Sequence, residues 1–168
     1  MKLKVKDITL ISILTVILII QEQILNFLPN ISLTVFLMVL YSKKLGMFRT
    51  SIIIILYCLL DNLIMSSLNI VYTPFMLIGW LLIPILLNAV FKKVNNVLIL
   101  SLLGIVFSFL YCWINIIPAI IVLRIDFVVY FMNDLMFEIL LAISSFISIY
   151  LLYEPCSKTI DKLLVKEL

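Results

Sequence analysis

Residues 97–117 read VLILSLLGIVFSFLYCWINII, without one Asp, Glu, Lys or Arg among them. About 20 helical residues cross the roughly 30 Å hydrocarbon core of a bilayer, so this run predicts a transmembrane helix. Apolar and polar residues do not alternate along it. A barrel strand would alternate, and only helices or closed barrels satisfy the backbone in lipid. Outward in both directions the chain repeats the theme. Further runs cover 8–28, halted by Pro29, then 31–42, ending before Lys43 and Lys44, then about 50–66. Another spans 73–91, with Thr73 placed as an N-cap and Pro74 at the first helical position. The run at 97–117 is expected to break or kink at Pro118. The last, 127–153, is long enough to tilt and is closed by Pro155.

Composition agrees with lipid as the solvent. Of 168 residues, 65% are apolar or aromatic and 12% are charged, against about 45–50% and 25% in soluble domains. A soluble chain of this size could not bury such an excess. No Gly, Ser or Pro-rich linker and no internal repeat divides the sequence. The expectation is an all-α integral membrane protein, one domain over 1–168, with six transmembrane helices in a single bundle.

The segment from Met1 to Lys6, followed by an apolar run, mimics a signal peptide. Gln21, Glu22 and Gln23 stand where small cleavage-site residues would be, so the segment is read as a retained span. Of the 12 Lys and Arg residues, eleven fall in connections on one side and Arg124 alone on the other, which places both termini in the cytoplasm. Residues 157–168 form an amphipathic tail, Ile160, Leu163, Leu164 and Leu168 opposing Lys158, Asp161, Lys162 and Lys166. Such a tail is expected on the inner membrane surface.

Several functions are set aside. Histidine is absent, and with it the commonest metal ligand and general base. The net charge is +3 with no basic patch interleaved with aromatics, so nucleic acid is not an expected partner. No GxSxG, HExxH, GxGxxG or Walker-A pattern occurs, so neither enzymatic activity, a bound cofactor nor self-powered ATP-driven transport is expected. The three cysteines are read as reduced thiols.

Polar groups at membrane depth are costly and mark functional sites. At about 1.5 Å per residue, the carboxylates Glu22, Asp61, Asp134 and Glu138 all lie near mid-depth or in the outer half. Asp134 and Glu138 share a helical face that Tyr130 extends outward, and Glu22 with Asn26 repeats the spacing on the first helix. Asn30, Asn62, Asn115 and Asn133 add hydrogen-bonding capacity, and Trp113 a stacking surface. Together these residues are expected to line an outward-facing solute pocket. Trp80 is read as packing or lipid-facing, Pro84 as a kink, and Gly79 and Gly104 as points of close helix approach.

The stretch NFLPNISLTVFLMVLYSKKLG at 26–46, LYCLLDNLI at 56–64 and YTPFMLIGWLLIPILLNAVFKK at 72–93 resembles the substrate-binding S components of energy-coupling factor transporters. The LPN after the first helix and the TPFxxxGW opening the fourth carry most of the likeness. The resemblance implies a multi-pass protein of the bacterial plasma membrane that captures a vitamin or related micronutrient on the outer side. It further implies docking on a transmembrane T component driven by two cytoplasmic ATPases, which alone bind ATP. That family often docks through an Ala-x-x-x-Ala surface on the first helix. Here Thr9, Ser12, Thr15 and Val16 supply the corresponding modest-sized face. The rival reading is a rod-shape-determining scaffold of the D type, of similar length and helix number, which needs no solute pocket.

Overall fold

The computed structural model describes residues 4–64 and 70–166. The described residues form five helices, α1 (Val5–Leu25), α2 (Thr34–Ile64), α3 (Tyr72–Ala89), α4 (Val97–Leu123) and α5 (Phe127–Lys166). Each is long and apolar enough to cross a membrane. The outward faces are clothed in Ile, Leu, Val and Phe: Ile8, Ile17, Leu102, Val106, Phe127 and Ile143 all point away from the core. The molecule is an all-α multi-pass membrane protein.

Five helices stand where six were expected. The expected second and third runs, 31–42 and 50–66, are two arms of α2, and Met65 and Ser66 lie outside the described residues. Only Gly46 leaves helical geometry, at φ 79° and ψ 175°, a region essentially reserved for glycine. A Cβ added there would meet nothing within 4 Å, so the demand on Gly46 is conformational rather than steric.

The contacts of the two arms give their directions. Thr34 lies at Gln21, near the end of α1, and Tyr41 reaches the Leu14 carbonyl further down. Beyond Gly46, Arg49 pairs with Asp7 near the start of α1, and Tyr57 has climbed back to Glu22. The chain therefore descends along α1, turns at Gly46 and ascends. α3 then descends, its Asn88 reaching the Ser42 carbonyl and its end meeting Lys43, whose Nζ donates to the Phe91 carbonyl at 2.7 Å. α4 and α5 pack lengthwise, and among the described residues α1 packs only on α2.

Neither Pro118 nor Pro155 ends its helix. α4 runs through the buried Pro118 to Leu123 and stops at Arg124, whose φ of 55° is left-handed. α5 runs through Pro155 to Lys166, so the last helix is not closed at Pro155 as expected and the tail continues it. Ile160 joins the core and Asp161 pairs with Lys44 at 2.6 Å. A proline deletes one donor, and helices packed among neighbours absorb that loss. Nor does Thr73 cap α3: Val71 occupies the cap position in helical conformation and Thr73 Oγ1 is buried without a partner.

The glycines behave as expected. A Cβ on Gly79 would stand 2.8 Å from Tyr111 Cδ2, and one on Gly104 2.5 Å from Ile149 Cδ1. Those absences let α3 and α5 each close on α4. Ser108 and Ser145 then bridge α4 to α5 at 2.8 Å.

Candidate functional site

At the end of the bundle away from Lys43, Lys44 and Arg49 lies a cavity of about 280 Å³. Its roof is the 26–32 segment joining α1 to α2. Pro29 stops the helix there, and Asn30 turns the chain at φ 54°, a left-handed conformation Asn tolerates. Two side chains pin that roof. Gln21 accepts from the Leu33 amide at 2.9 Å and donates to Thr34 at 2.8 Å, which satisfies an otherwise orphaned donor at the start of α2. Ser144 of α5 donates to the Ser32 carbonyl at 2.9 Å.

The walls are Glu22 of α1, Trp80 of α3 and Tyr111 of α4, with Leu141 from α5. Trp80 and Tyr111 stack at 3.7 Å between ring centroids and 17° between planes, the close approach that Gly79 permits. Trp80 is 4% exposed and its indole nitrogen has no partner, although a buried indole N–H ordinarily finds one. Tyr57, fully buried, donates to Glu22 Oε2. Asp61, one turn beyond Tyr57 on α2, lies within electrostatic reach of Glu22 and keeps Oδ1 buried and unpartnered.

Of the expected pocket residues, Glu22, Asn26 and Asn30 line this cavity, and Asp61 does not, though it lies within electrostatic reach of Glu22. The others go elsewhere. Asn62 donates to its own helix at the Cys58 carbonyl and meets Met76 Sδ at 3.5 Å, joining α2 to α3. Asn115 and Asn133 donate to carbonyls of their own helices. Trp113 is half exposed on the outside of α4, not a stacking surface in the cavity, and its indole N–H reaches Glu138 Oε2 at 3.3 Å. Glu138 is 0% exposed, with Oε1 unpartnered. Asp134 and Tyr130 continue that second cluster outward along α5, and none of its members lines the cavity. The expected single pocket is thus two acidic clusters, one opening on a cavity.

Sequence reasoning missed Trp80, Tyr111 and Gln21. Trp80, read as packing or lipid-facing, does pack in the core, and the Gly one residue before it was the available signal of its close ring contact. On α1, Thr9, Ser12 and Val16 are exposed and form one outward face with Ile13 and Ile20, whereas Thr15 is 2% exposed and bonds inward to the Ile11 carbonyl.

No family model matches the chain, and no curated protein or solved structure does.

Proposed function

We propose that this chain is the substrate-binding subunit of an importer of the energy-coupling factor type, capturing a vitamin or related micronutrient on the outer face of the bacterial plasma membrane. The observation that carries the reading is the roofed cavity at the carboxylate-bearing end of the bundle, with Glu22 and a stacked Trp–Tyr pair in its walls. The down-and-up course of α2 supports six crossings, with the turn at Gly46 on the inner side. The lysine-rich end, which also holds the start of α1 and the pairing of Asp161 with Lys44, is then cytoplasmic, as the positive-inside rule directs.

In this reading the chain is not an enzyme. Uptake is powered by a T component and two cytoplasmic ATPases, and the outward face of α1 through Thr9, Ser12 and Val16 is the docking surface. A helix that packs, among the described residues, on α2 alone and presents modest-sized side chains is suited to close approach by a partner helix.

The test is solute binding and uptake. The purified chain in liposomes should bind a solute without accumulating it, and addition of a T component with its ATPases should confer ATP-dependent uptake. Concentrative uptake by the lone chain on an ion gradient rejects the reading, and gentle purification that yields lipid alone favours the rod-shape scaffold. Labelling in intact cells checks orientation: an impermeant thiol reagent should reach a Cys placed at Ile125, between α4 and α5, and not the native Cys156.

A further inference from the structure

We propose that the cavity takes a small organic cation, a molecule with a positively charged nitrogen for Glu22 and a flat apolar body to lie against Trp80 and Tyr111. The inference rests on the capture reading above and names the chemical class of its solute.

Charge comes first. Glu22 lines the cavity, Asp61 lies within electrostatic reach of it, and Tyr57 donates to Glu22. Among the described residues, the ion pairs made by Lys and Arg belong to the opposite end of the bundle, Arg49 with Asp7 and Lys44 with Asp161. Two carboxyls in a low-dielectric interior repel each other, and a cation brought between the walls relieves that repulsion. A guest of negative charge would add to it.

The rings point the same way. The faces of Trp and Tyr carry negative potential and attract cations within about 6 Å of the ring centre; the stack of Trp80 on Tyr111 covers one face of each ring, and both residues border the cavity that Glu22 lines. The indole is a donor only. Trp80 Nε1 is buried and unpartnered, so the residue meets the cavity through its ring rather than through a shown donor. Asn26 and Asn30 in the roof can each donate and accept around the remaining edge. The volume, at the small end for ligand pockets, suits a one- or two-ring molecule.

Matched probes on the full chain in lipid nanodiscs test the class. Pyridoxamine and pyridoxine differ by an ammonium against a hydroxyl, thiamine carries a permanent ring cation, and biotin is an anion. Pyridoxamine should bind at least about tenfold more tightly than pyridoxine, and biotin should be the weakest. Glu22→Gln should erase the preference between the matched pair without moving the ligand-free melting temperature. Trp80→Phe should weaken both members of the pair about three- to tenfold and keep the preference. Tighter binding of pyridoxine or biotin overturns the cation class and leaves solute capture standing. No binding by any probe up to about 1 mM, with no solute copurifying, overturns both. The wild-type comparison decides even where a variant fails to fold.

Discussion

The two acidic clusters hold the same chemical inventory in different settings. Glu22 and Asp61 have Tyr57 and a stacked Trp–Tyr pair beside them, and Glu138 and Asp134 have Trp113 and Tyr130. In the first, Glu22 and the Trp80–Tyr111 pair border a roofed cavity to which all five helices contribute; the other lies along the α4–α5 seam, with its tryptophan turned to the outside. Intramembrane acid is thus not enough to define a site. Space beside the carboxylate, and a neighbour that holds its orientation, distinguish a group that can meet a solute from one that ties helices together.

The largest contrast should come from removing one charge in each cluster. A hydrogen bond to a charged group contributes about 1.5–3 kcal/mol, so Glu22→Gln should weaken solute binding about ten- to a hundredfold. Glu138→Gln keeps the acceptor for Trp113 and should leave affinity within about twofold. Isothermal titration beside melting curves reads both effects. Equal losses of affinity would merge the clusters into one site and erase the comparison.

A steric version of the same contrast uses the glycines. In Gly79→Ala the new methyl meets the Tyr111 ring at 2.8 Å, with the Tyr111 Cα itself at 3.7 Å, so the stack with Trp80 must shift. Overpacking typically costs about 1–3 kcal/mol, and here affinity should fall with stability. In Gly104→Ala the methyl meets only the free end of Ile149 at 2.5 Å, with the next atom at 3.7 Å. That side chain can swing aside, so a loss below about 1 kcal/mol and unchanged affinity are expected. A Gly104→Ala variant that lost binding would place the α4–α5 seam within the solute site.

These contrasts also mark what the sequence could disclose. Charge-free runs and the one-sided lysines made the lipid-facing helices legible, because both are properties of composition along the chain. Glu22, Asn26 and Asn30 were legible as cavity residues, since a polar group beside a helix end at membrane depth has few other uses. The division of the carboxylates was not. A four-residue spacing fixes which residues of one helix share a face, but not which helix that face meets, so Asp134 and Glu138 could be paired with each other and not located. Helices running through Pro118 and Pro155 were illegible for the same reason: the neighbours that compensate the lost donors are distant in sequence. Gln21 reads as an ordinary polar residue until the start of α2 arrives beside it.

The roof supplies an intermediate test. Ser144→Ala removes its hydrogen bond to the Ser32 carbonyl, and hydrogen bonds between membrane helices average about 0.6 kcal/mol. Stability should barely move, while a roof held only by Gln21 should release solute a few times faster, measured as the off-rate of a bound probe. Ser148→Ala, on the same helix but bonded to its own Ser145 carbonyl, should leave that rate unchanged.

The smallest effect belongs to the second cluster and shows whether it is structural. Trp113→Phe removes the 3.3 Å hydrogen bond to Glu138 and keeps an aromatic ring at a half-exposed position. Alone, the change leaves a fully buried carboxyl with neither oxygen partnered, so its cost includes an unsatisfied group as well as a lost bond. Combining Trp113→Phe with Glu138→Leu removes both sides of the interaction and separates those terms in a double-mutant cycle. A coupling near 0.6 kcal/mol is expected, equivalent to a shift of about 1–2 °C in melting temperature for a chain of this length. Solute affinity should be unchanged in every corner of the cycle, because none of these side chains borders the cavity. A corner that loses affinity without losing stability would instead show that the second cluster reaches the solute through the shared helix α5, and the separation of the two regions would fail.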